Sequence, residues 1–235
     1  MKEEDIYKPQ NIKRTEEVFS PSKKFKLEIL YYFTKEGCWE YSRGKIYRVL
    51  DNKIIADIKR NYSTFHHSFQ TKNSQEYLIT GRSYMGQTIV NLDEEWEVST
   101  PGPYGGQEFC WADHFLSPDG QTLAVAGCHW AGPYEIAFFD FSNPKVLPLP
   151  VLMQDDDTWY DKTYGWTDKG FKWARGHELF VPWSKRDRDL TLEELEQISK
   201  EFGDEDDDKL WKWVDDEVWL CHREGDTVLV RKIES

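Results

Sequence analysis

"FLSPDGQTLAVAG" at residues 115–127, continued by "CHWAGPYEIAFFDF" at residues 128–141, is the stretch on which the fold turns. Pro118 presets φ for a tight turn, Asp119 accepts hydrogen bonds from the backbone that follows it, and Gly120 can take a positive φ. The flanking segments "LAVAG" and "IAFFDF" are apolar at successive positions rather than at alternate ones. Successive side chains of a strand point to opposite faces, so such strands need cover on both sides. The unit reads as strand, tight turn, strand, Gly- and aromatic-rich turn, then a strand ending in Asp140.

Relatives of this unit recur along the chain. The tight-turn piece returns as "VFSPSKKFKLEI" from Val18, "SFQTKNSQEYLITG" from Ser68 and "GWTDKGFKW" from Gly165. The second turn returns as "GCWEYSRGKIYRVLD" from Gly37, "GRSYMGQTIVNLD" from Gly81 and, shortened, "CHREGDTVLV" from Cys221. With Phe19, Phe69, Leu116 and Trp166 as equivalents the steps are 50, 47 and 50 residues. A period of this size marks stacked supersecondary units, and four-stranded blades with one Gly and aromatic motif each are the propeller signature. The fold class expected is all-β, a small β-propeller of about four blades forming one domain over residues 1–235. A β-sandwich with accidental internal similarity is the alternative.

"LSPDGQTLAVAG" followed by "IAFFDF" resembles the strand-turn-strand core of WD40-like and TolB-like β-propellers. The stretches "RNYSTFHHSF", "FCWADHFLSPDG" and "PYEIAFFDFSNP" are also similar to those of an uncharacterised group of bacterial proteins. The resemblance implies that the strand before each tight turn is the innermost of its blade. It also implies that residues 5–15 close the ring by supplying the last unit with its missing fourth strand.

The last unit holds an insertion of about 43 residues relative to the third, since 55 residues separate Trp166 from Cys221 where 12 separate Leu116 from Cys128. Within it residues 187–208 carry 11 acids and 2 bases, most of the chain's formal charge of −13. "TLEELEQISKEFG" reads as a helix, with Thr191 and Glu194 as a capping box, Leu192, Leu195, Ile198 and Phe202 as one stripe, and Gly203 after the end. "DEDDD" at 204–208 has the alternating acids of a calcium loop but Lys209 where that loop needs Gly, so it reads as a solvated acidic turn.

Composition excludes several classes. Aromatics make up 15% of the chain, with 11 Trp, which suits short strands around large pockets rather than disorder. The four cysteines are scattered and lack paired metal-ligand spacing, so they read as free thiols in a reducing, cytoplasmic setting. There is no long apolar run and no basic stripe, so neither a membrane nor a nucleic acid is an expected partner.

Candidate sites follow from the repeat register. Two residues before the four equivalent positions stand Glu17, His67, His114 and Tyr164; one step earlier stand Glu16, His66, Asp113 and Thr163. Around a four-fold channel the first set suits a divalent transition metal, although such residues equally serve as hydrogen-bonded linings of a wet tunnel. No other cofactor is expected. "GRSYMG" misses the nucleophile elbow by one residue, and Cys128 beside His129 sits at a repeated turn, with Cys38 and Cys221 in the same repeat position. The loops entering the inner strands offer flat aromatic faces between charges, at Tyr62, Phe65, Trp111, Asp113, Trp159, Tyr160, Asp161 and Tyr164, a mixture suited to a protein or carbohydrate partner. The function expected is that of a non-catalytic binding module. A cytoplasmic immunity or antitoxin protein, with the acidic insertion plugging a basic toxin site, is a narrower form of it. A metal-dependent hydrolase or lyase using the His-lined channel is the catalytic alternative.

Overall fold

The tight turn at 117–121 forms as its residues dictate. Ser117 N donates to Thr122 O at 2.8 Å, Gly120 N donates to Ser117 O at 2.8 Å, and Gly120 has φ +68°. The Ser117 hydroxyl accepts from Thr122 N at 2.9 Å, and Asp119 accepts from Gln121 N at 3.0 Å. The first repeat copies the turn: Ser20 N donates to Phe25 O at 2.9 Å and Lys23 N to Ser20 O at 2.8 Å, with Lys23 at φ +61° where the third repeat has glycine.

This is a computed structural model, and it describes residues 3–37, 39–83, 85–100, 109–129, 132–154, 160–181, 191, 193–194 and 210–233. Among the described residues sixteen strands form four antiparallel sheets, each a meander of four consecutive strands. The first holds β1 (Ile12–Phe19), β2 (Phe25–Tyr32), β3 (Tyr41–Arg48) and β4 (Lys53–Arg60). The second holds β5 (Ser68–Lys72), β6 (Gln75–Thr80), β7 (Gln87–Asn91) and β8 (Trp96–Thr100). The third holds β9 (Phe109–Leu116), β10 (Thr122–His129), β11 (Tyr134–Asp140) and β12 (Val151–Met153). The fourth holds β13 (Lys162–Thr167), β14 (Gly170–Val181), β15 (Leu210–Glu224) and β16 (Thr227–Ile233). Two compact units result, residues 1–159 with 225–228, and residues 160–224 with 229–235.

In the first unit the sheets stack, as the doubly apolar strands require. Phe25, Leu27, Ile29, Ile46 and Ile58 of the first sheet meet Leu78, Val90 and Leu92 of the second. On its other face the second sheet offers Tyr77, Ile79 and Ile89 to Trp111, Leu123, Val125, Ala137 and Phe139 of the third. All five residues of β7 are buried. Polar side chains tie the layers together. Buried Glu76 accepts from the Ser20 hydroxyl at 3.0 Å and Ser22 N at 3.1 Å. Gln70 donates to His114 O at 2.8 Å and accepts from Leu116 N at 3.2 Å, and the Lys72 ammonium donates to Phe141 O at 2.6 Å and Ser142 O at 2.9 Å.

The chain's N-terminus does not complete the last sheet. β1 pairs with β2 in the first sheet, α1 (Glu3–Ile6) lays Ile6 against Leu30 and Tyr32, and the last sheet draws its fourth strand, β16, from its own repeat. Cys221 lies in the third strand of its sheet, opposite Phe171, whereas Cys128 lies near the end of a second strand, so the two are not repeat equivalents. Cys38 lies outside the described residues.

In the second unit β14 and β15 pair from Phe171↔Cys221 to Val181↔Leu210. Trp173 stacks on Trp219 with ring centroids 6.4 Å apart. The insertion is the connection between these two strands, where only Thr191, Glu193 and Glu194 are described. Thr191 N donates to the Glu194 carboxylate at 3.0 Å and Glu194 N to the Thr191 hydroxyl at 3.3 Å, the reciprocal bonds of a capping box. The helical stretch expected to follow, with the rest of 187–208, lies outside the described residues. Among the described residues no helix is long and apolar enough to cross a membrane.

Candidate functional site

Of the residues proposed around a channel, Glu17, His67 and His114 lie in the first unit and Tyr164 in the second. Strand alternation sends His114 to the same side of β9 as Leu116, the side that packs on the second sheet, so it is buried rather than axial. Among the described residues neither of its ring nitrogens has a hydrogen-bond partner. Burial, reinforced by His66, Arg60 and His67, pulls its pKa down to about 3. His66 and His67 precede β5 rather than lying in it, and burial holds both below the usual imidazole range. His67 Nδ1 is 2.8 Å from Phe65 O. Glu17 is exposed and paired with Lys26 at 2.6 Å, while Glu16, on the opposite side of β1, accepts from the Tyr31 hydroxyl at 2.9 Å. Tyr164 belongs to the second unit, where the Lys172 ammonium stands 4.1 Å from its ring centroid. Among the described residues no three His, Cys, Asp or Glu converge as a metal would require.

Cys110, Cys128 and Cys221 are buried and free. Burial pushes Cys110 up to about 12 and raises Cys128 and Cys221 as well, so all three are protonated at neutral pH. His129 is held 2.7 Å from the Gln154 side-chain nitrogen.

Of the aromatic residues expected at a binding surface, Phe65 and Trp111 are core. Phe65 is 3% exposed and its ring lies against Gly44, where a Cβ would come within 2.3 Å of it. Trp111 is 4% exposed and packs on Phe139 at 4.8 Å. Tyr160 and Asp161 lie in the second unit, where Asp161 accepts from Gly176 N at 2.9 Å. Trp159 lies outside the described residues.

What the first unit does bring together is a smaller group at the end where β2–β3, β4–β5 and β10–β11 are joined. Trp39 is 54% exposed, its ring 5.5 Å from that of Tyr62, and its indole N–H donates to Asn61 O at 3.0 Å. Ser42 fixes Tyr62 from below by donating to its carbonyl at 2.7 Å. Tyr134 is 45% exposed, and its phenol is raised by burial and then by Cys128, Asp113 and Tyr62 nearby. Asp113 is exposed. Behind them Arg60, 2% exposed, donates to Gly81 O at 2.7 Å, so these loops rest on a rigid floor. Such a group can offer flat amphipathic rings around one carboxylate. Trp39 and Tyr134 escape the sequence reading because they occupy the Gly-rich hairpin turns, which read as packing corners. Their signal is that a turn residue of this size has no core to enter.

No protein-family profile matches the chain. Among solved structures it is similar to the Swd1 β-propeller domain of Myceliophteria thermophila, at 8% identity and a TM-score of 0.35 over 93% of this chain and 83% of that one. The fold therefore rests on the chain's own four sheets. An uncharacterized protein of Acanthamoeba polyphaga mimivirus is 37% identical over 201 residues, which cover 81% of this chain and 79% of the viral protein. The relative is viral where the sequence resemblance pointed to bacterial proteins, and the chain belongs to the same family as this mimivirus protein.

Proposed function

We propose that the protein is a non-catalytic, cytoplasmic binding module, its four sheets the blades of one propeller over residues 1–235, and that it engages a protein partner through Trp39, Tyr62, Tyr134 and Asp113. The observation that carries this reading is the contrast within the first unit. His114 and the thiols of Cys110 and Cys128 are buried, whereas Trp39 and Tyr134 are half exposed beside an exposed Asp113. Rigid aromatic rings that lose little entropy on contact are the usual anchors of protein interfaces, and a carboxylate among them selects a basic residue on the partner. The immunity-type form of the reading rests on the acidic segment 187–208 instead, and the same experiment separates the two.

The test is capture from host lysate by the tagged full chain, by a Trp39→Ala/Tyr134→Ala variant and by a deletion of 187–208. Two lost anchors should weaken the captured partner on the order of 30-fold or more. Equal capture by the folded double variant removes the aromatic site, and loss with the deletion alone transfers binding to the acidic segment.

A further inference from the structure

We propose that Cys110 and Cys128 form a redox-modification site, a dithiol that hydrogen peroxide converts into a disulfide across β9 and β10. The inference stands apart from the partner-binding reading and rests on the placement of the two thiols. Cys110 and Cys128 are directly opposite each other in the antiparallel β9–β10 register, so their side chains leave the same face. Opposed residues of such a pair have Cα atoms about 4.5–5.5 Å apart, inside the 4.4–6.8 Å range that a disulfide spans. The neighbouring backbone is drawn in as well: a Cβ on Gly127 would come within 2.1 Å of Cys110 O, so only glycine permits this approach.

A second observation concerns access. Both cysteines line a small cleft with Arg60, His66 and Tyr134, and Tyr134 at its edge is 45% exposed. The cleft suits an oxidant the size of water. Within the proposal Cys128 is the attacking sulfur and Cys110 the resolving one. The Cys128 thiolate displaces hydroxide from peroxide and becomes a sulfenic acid. Cys110 sulfur then attacks that sulfur, forming the S–S bond and releasing a second hydroxide, which the two thiol protons convert with the first to water. Two thiols are oxidised, one peroxide is reduced, and two waters leave. Because burial keeps both thiols protonated, the reaction is slower than at an exposed thiolate and depends on peroxide load, as a stress-responsive site requires. The bond staples the ends of β9 and β10 beside Tyr134.

The experiment treats the intact, reduced chain with hydrogen peroxide, unfolds it, blocks the remaining thiols with iodoacetamide and maps the peptides by mass spectrometry. Of the four cysteines two should remain free, with Cys110 linked to Cys128 and the link reversed by dithiothreitol. Closing the loop between them should raise Tm by roughly 5 °C or more. A Cys38→Ser variant should keep both effects, and a Cys128→Ser variant should lose both. Sulfinic or sulfonic acid on unlinked Cys110 or Cys128, linkage through Cys38 or Cys221, or both thiols still reduced once Cys38 is consumed, would overturn the proposal.

Discussion

His114 makes the strongest statement about single residues. Its imidazole is buried beside Trp111, at 5.5 Å between ring centroids, with no hydrogen-bond partner for either nitrogen among the described residues. A neutral ring is tolerated there; a charged one beside Arg60 is not. The folded pKa of about 3 lies below the ordinary value of 6.5. Between those values the native state therefore binds fewer protons than the unfolded chain, so stability is complete above the window and falls as pH drops through it. The full window corresponds to a loss of about 5 kcal/mol, with His66 and His67 acting in the same direction. His114→Leu should flatten this dependence, read by urea unfolding at pH 7.5 and pH 5. An unchanged slope in the variant would assign the acid sensitivity elsewhere.

Among the elements, the tight turns show how much a motif carries and where it misleads. Ser20 and Ser117 organise the same hydrogen bonds from different sequences, "SPSKK" and "SPDGQ", so the serine is the shared determinant. The first copy pays for its lysine: Lys23 sits at φ +61°, a region costing a non-glycine residue on the order of 1 kcal/mol. A Cβ-free residue removes that strain, and Lys23→Gly should stabilise the protein by about 0.5–1 kcal/mol, measured as a rise in urea midpoint at constant m-value. A fall in midpoint would show that the lysine stem contributes more than its backbone costs. The fourth copy was harder to read because its turn motif is intact while its second and third strands are long and separated by the insertion. Matching Cys221 to Cys128 then placed a third strand where a second one ends.

For the molecule as a whole, stability of the first unit depends on how its sheets are clamped. Glu76 is the clearest clamp, a buried carboxylate of the second sheet that accepts from Ser20 and Ser22 of the first. Glu76→Ala leaves those donors without their charged acceptor and should cost about 2–4 kcal/mol. A double-mutant cycle with Ser20→Ala should recover at least about 1 kcal/mol of coupling, and additive losses would mean that the clamp does not act through this contact.

What the sequence determined by itself is the local pattern: the period of about 50 residues, strands apolar on both faces, and the serine-bearing turns, all written in neighbouring residues whose preferences are short-ranged. Tertiary structure alone decided which side chains were left outside. Phe65 and Trp111 look like surface aromatics in the chain, yet stacked sheets swallow them, whereas Trp39 and Tyr134 stay half exposed. It also decided that His114 points between sheets and that Cys110 meets Cys128, 18 residues on. The physical reason is that burial and pairing are relations between segments, set by register and stacking. A single residue's identity encodes its preference for such a place but not whether the place exists.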